Sequence, residues 1–267
     1  MKLSYQQKSA LAATFIFLIW ELNLVFPEQK KYMTLASIFV LLFTLIEIQR
    51  TNLSLNKKTL LEAVSKLNSL KFWKKNINYL ILPLFLTVST AAFVKLTYSF
   101  ALQQITILTS LFSLYLIILH TGKSYARNFK KNIQTIRIFT LTKFYIAFIS
   151  FVSVYGLLLN DRLTFFVACL YSFSFAIIFF YQAFKEKDFH ELIYKLISIG
   201  ILTVFATYLS FTAEVPLLAG GIIISTSYYL GWGLLQDDTK EKDRLEYIVI
   251  TILILTIILV NLPGKIL

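Results

Sequence analysis

Glu21 stands inside an apolar run, where a carboxylate is costly and is therefore a candidate for function. Asn23 follows it, and Lys95, Gln103, Gln104, Asp161, Arg162 and Glu214 are predicted to reach the same outer level at the ends of other apolar runs. Carboxylate, amide and cationic groups gathered at one level would line a polar vestibule for an ion or a polar solute. The competing reading is a structural ion pair, or side chains snorkelling to the interface. Gly220 and Gly221 complete this substrate-path set. They sit in a stretch that also holds Ser225-Thr226-Ser227, Gly231 and Gly233. Small residues there either let helices approach closely or unwind locally beside a cavity.

A different chemistry is open to Asp237, Asp238 and Asp243. Hard oxygen ligands at an inner membrane face suit Mg²⁺ held against a diphosphate, the arrangement needed by a transferase acting on a lipid-linked substrate. Lys240, Lys242 and Arg244 are interleaved with them, which is also the pattern of a solvated, salt-bridged loop. Nine spans, a similar size and this inner aspartate group resemble the intramembrane prenyltransferases. The resemblance implies a diphosphate site at the inner face. Those enzymes carry a second aspartate-rich motif after the second span, whereas residues 49–76 contain no aspartate.

Two further patterns carry less. Glu47, His120 and His190-Glu191 fall at the inner level, but no His-Glu-x-x-His helix exists, because Tyr194 stands four places after His190. Gly122-Lys123-Ser124 echoes a phosphate loop yet has Ile117 where that loop needs glycine, so Gly122 reads as a helix C-cap. Neither a metal nor a cofactor is expected.

Apolar helices must position all of these groups. Crossing the hydrocarbon core takes roughly 17–25 mostly apolar residues. Nine stretches meet or approach that length, at about 9–26, 32–48, 77–94, 99–120, 138–158, 163–184, 192–213, 216–235 and 245–262. The second is the shortest. Asn160-Asp161-Arg162 and Glu214-Val215-Pro216 break two pairs so briefly that tight helical hairpins are expected there. Pro216 fits the start of a helix, where its missing N–H costs nothing.

Charge then orients the chain. With nine spans and the N-terminus inside, 21 of the 26 Lys and Arg fall on the cytoplasmic side and five outside, as the positive-inside rule asks. The formal net charge of +12 is thus an orientation signal rather than a nucleic-acid one. Residues 49–76 concentrate it. Thr59 and Glu62 fit a capping box, Leu60, Leu61, Val64 and Leu67 recur at helical spacing, and Lys57, Lys58, Lys66, Lys71, Lys74 and Lys75 surround them. With Trp73 at the interface, this loop reads as a basic amphipathic helix on the anionic inner leaflet, or as a solvated connector.

The expected fold is a single all-α polytopic bundle over residues 1–267, N-terminus cytoplasmic and C-terminus outside. A composition 57% hydrophobic and 15% charged excludes a soluble globule or a disordered chain, and one cysteine, Cys169, excludes an internal disulfide. The first span reads as a retained signal-anchor, since Trp20, Glu21 and Asn23 occupy the place of a cleavage site. The leading functional reading is a permease-like or lipid-handling protein of a prokaryotic plasma membrane, without catalytic chemistry. Its partners are the bilayer and anionic lipids, and not nucleic acid. An intramembrane transferase and a membrane-embedded scaffold are the alternatives.

Overall fold

The structure, a computed structural model, describes residues 4–26, 34–44, 70–125, 133–181 and 189–235. Everything regular among them is helical, in eight α-helices. In chain order these are α1 (Tyr5–Val25), α2 (Thr34–Thr44), α3 (Leu70–Leu96), α4 (Phe100–Tyr125), α5 (Ile133–Leu159), α6 (Phe165–Tyr181), α7 (Phe189–Thr212) and α8 (Leu217–Leu235). Four stretches are long and apolar enough to cross a membrane: Phe100–Leu119, Leu141–Leu159, Glu191–Thr212 and Leu217–Leu235. Thr34–Thr44, Leu82–Leu96 and Phe165–Phe179 are apolar but shorter. The expected stretch 245–262 lies outside the described residues. The helix α3 begins at Leu70, ahead of the expected start at 77, so Lys71, Trp73, Lys74 and Lys75 belong to its first turns.

These helices bury hydroxyls beside apolar side chains such as Ile16, Leu41 and Leu114, and leave large apolar side chains exposed on the outside. Phe15, Phe39 and Phe112 are 57%, 69% and 63% exposed, while Ser9, Ser37 and Ser110 on the same three helices are fully buried. In water, large apolar surface is driven inward. In lipid that drive vanishes, and helices associate through small residues and hydroxyls instead. Exposed phenylalanines on the outside, with paired hydroxyls within, suit a bilayer.

The chain divides into two compact units, residues 1–146 and 147–267, with the boundary inside α5. In the first, α1 and α3 both pack on α4. Ser4 and Gln7 open α1 with a reciprocal capping box: the Gln7 N–H donates to Ser4 Oγ at 3.3 Å and the Ser4 N–H to Gln7 Oε1 at 2.9 Å. Pro83 sits within α3, and the Thr87 hydroxyl donates to the Pro83 carbonyl at 2.8 Å.

In the second unit, α7 packs on both α6 and α8. The connections after α5 and after α7 share one geometry. Asp161 (φ 53°) and Glu214 (φ 51°) are left-handed. Six-to-one bonds close each turn, from the Arg162 N–H to the Leu157 carbonyl at 2.9 Å and from the Val215 N–H to the Ser210 carbonyl at 3.0 Å. Asp161 N–H to Leu158 and Glu214 N–H to Phe211, both 3.1 Å, complete two Schellman caps. Both expected breaks are therefore tight turns.

Candidate functional site

The candidate site in the first unit is built where α1 meets α4. Glu21 lies in the last turns of α1, half-buried, and its Oε2 accepts a hydrogen bond from Gln104 Nε2 at 3.1 Å. The other carboxylate oxygen, Oε1, is buried and has no hydrogen-bond partner among the described residues. The adjacent Trp20 indole Nε1 is likewise buried without an acceptor. A carboxylate with one oxygen held and one free can still accept from a donor or cation. Asn23 lies two residues further along the same helix.

The other path candidates are placed individually. Gln103 does not join Glu21: its Nε2 donates to the Val94 and Thr97 carbonyls at 3.0 and 2.6 Å, capping the end of α3. Lys95 is exposed in the last turn of α3 and makes no ion pair with Glu21 among the described residues, though its charge suits the helix dipole. Arg162 and Glu214 are exposed in the two Schellman turns of the second unit. Gly220 and Gly221 lie buried in the unbroken helix α8, where Tyr155 and Val152 fill the space that side chains would take. Asp237, Asp238, Asp243, Lys57, Lys58 and Lys66 lie outside the described residues.

A polar network not singled out from the sequence crosses three helices of the first unit. Thr90 on α3 donates to Ser110 Oγ on α4 at 2.8 Å. Ser110 and Thr109 each share a hydrogen bond with the Tyr145 hydroxyl on α5, at 2.9 and 2.7 Å. Thr109 Oγ1 also donates to the Ile105 carbonyl at 2.7 Å. Hydroxyls on apolar helices were the available signal, but their pairing depends on which faces meet. In the second unit, Thr207 donates to Ser172 Oγ at 3.2 Å, and the nearly buried Lys195 pairs with Glu191 at 2.8 Å.

Among the described residues no three His, Cys, Asp or Glu side chains gather to hold a metal ion. Hydroxyls, one amide and one half-satisfied carboxylate offer hydrogen bonds and a single negative charge. No protein-family model matches the chain, no curated protein matches it, and no solved structure matches it.

Proposed function

We propose that the chain is a nine-span integral protein of a prokaryotic plasma membrane, with its N-terminus cytoplasmic and its C-terminus outside. In this reading it is permease-like or lipid-handling, and it works by binding and passage without catalytic chemistry. The observation that carries the reading is Glu21: a carboxylate within an apolar helix, held by Gln104 through one oxygen, with the other buried and unbonded among the described residues. A purely structural carboxylate at such a place is expected to be fully paired. The exposed phenylalanines of α1, α2 and α4, with serines buried on the same helices, support the membrane setting. The basic residues of 49–76 support contact with anionic lipids of the cytoplasmic leaflet.

Reconstitution into sealed vesicles tests the reading. A headgroup-labelled fluorescent phospholipid, quenched from outside with dithionite, reports lipid movement. Trapped pH- and sodium-sensitive dyes report ion passage. The expected result is that one of these rates exceeds that of protein-free vesicles and falls in Glu21→Gln. Rates equal to protein-free vesicles in every channel would argue for a scaffold.

A further inference from the structure

We infer that Glu21 anchors a binding site for a single positive charge, either an alkali ion or a protonated amine, within residues 1–146; this rests on the binding-and-passage reading above. A carboxylate has lone pairs for about four hydrogen bonds. Among the described residues Glu21 uses one oxygen, on Gln104, and leaves the other buried and unbonded. An oxygen buried without a partner forfeits its hydration, which a bound positive charge would restore. Lys95 is a basic residue expected at this level, but it is exposed and makes no ion pair with Glu21 among the described residues. The neighbouring Trp20 N–H is a donor, yet it does not reach the carboxylate either.

Charge count sets the ligand class. Divalent and transition ions take several carboxylate, imidazole or thiolate ligands. Among the described residues no such group of three exists, and Glu21 supplies a single negative charge. One positive charge balances it. Gln104 offers the second ligand, because its side chain already contacts Glu21 through the amide nitrogen and carries a carbonyl oxygen besides. A small cation fits better than a bulky one, since the unbonded oxygen is itself buried.

The test uses the full chain purified in detergent, with thermal unfolding followed against sodium, potassium or ethanolammonium chloride. Choline replaces the varied cation at constant ionic strength. The expected result is a saturable rise in Tm with at least one small cation; sodium or potassium alone identifies an alkali site, and ethanolammonium alone an amine site. Glu21→Gln should weaken the apparent affinity on the order of tenfold to a hundredfold, as loss of a charge-assisted bond does. Glu191→Gln, which loses only the pair with Lys195 in the other unit, should show the wild-type cation dependence whatever its starting Tm. If Glu21→Gln fails to fold, Gln104→Leu should keep the response with weakened affinity. No saturable response in the wild type, or an unchanged response in the folded Glu21→Gln, overturns the inference. Cation binding without vesicle flux would overturn the passage reading alone, whereas flux without a cation response would overturn only the cation site.

Discussion

The Tyr155 ring occupies the space that a side chain at Gly220 would need. A Cβ placed on Gly220 would overlap the ring of Tyr155, so these two residues of α5 and α8 are fitted to each other. The Tyr155 hydroxyl meanwhile donates to the Ser210 and Val215 carbonyls at 2.9 and 2.7 Å, fastening the turn between α7 and α8. One side chain thus joins a helix contact to a helix cap. Gly220→Ala should destabilise the protein by about 1–3 kcal/mol through overpacking. Tyr155→Phe should cost about 1 kcal/mol through the lost hydrogen bonds. Thermal unfolding in detergent checks both, and the Gly220→Ala/Tyr155→Ala pair should cost less than the sum of its single variants.

The two Schellman turns carry non-glycine residues where glycine is the easier choice. Left-handed backbone costs an L-residue roughly 1–2 kcal/mol, less for aspartate, and glycine returns part of that as chain entropy. Glu214→Gly should therefore raise stability by about 0.5–1 kcal/mol. Asp161→Gly should give a smaller gain in the same unfolding assay. A loss of stability in both would show that the acidic side chains hold the turns in another way.

The hydroxyl network of Thr90, Ser110, Tyr145 and Thr109 should behave as one clasp. Interhelical hydrogen bonds in membranes average about 0.6 kcal/mol and reach about 1.7 kcal/mol. Ser110→Ala, which cuts the links to both Thr90 and Tyr145, should lower Tm more than Thr90→Val or Tyr145→Phe alone. The double variant Thr90→Val/Tyr145→Phe should approach Ser110→Ala. Simple additivity of the singles would separate the bonds into independent contacts.

Sidedness is checked at the same two turns. In a Cys169→Ser background, Asp161→Cys and Glu214→Cys should both react with a membrane-impermeant maleimide applied to intact cells. Lys187→Cys should react only after the cells are opened. Labelling of Asp161→Cys and Glu214→Cys from opposite sides would remove one span between them and end the nine-span topology.

Much of the secondary structure was legible because hydropathy and turn residues act locally. Asn160-Asp161-Arg162 and Glu214-Val215-Pro216 marked the two turns, and the apolar runs at 99–120, 192–213 and 216–235 coincide with long helices. The capping box of Ser4 and Gln7 is written in the chain as Ser-x-x-Gln, a polar signal ahead of the apolar run that hydropathy does not register. The start of α3 at Leu70 was obscured by lysines, which a helix tolerates but an apolar-run criterion does not.

Side-chain partnership is another matter. Gln103 and Gln104 are neighbours of one type, yet one caps α3 and the other holds Glu21, because a step of one residue turns a helix by about 100°. From the sequence by itself came the class of protein, the positions of most helices and the turn residues, since each follows from local polarity and backbone preference. Only the tertiary structure decided that Tyr155 fills the face of Gly220, that Thr90, Ser110 and Tyr145 join three helices, and that one oxygen of Glu21 stays unbonded among the described residues. Those outcomes depend on which helix faces meet, and short-range hydrogen bonds resolve only once the faces are in contact.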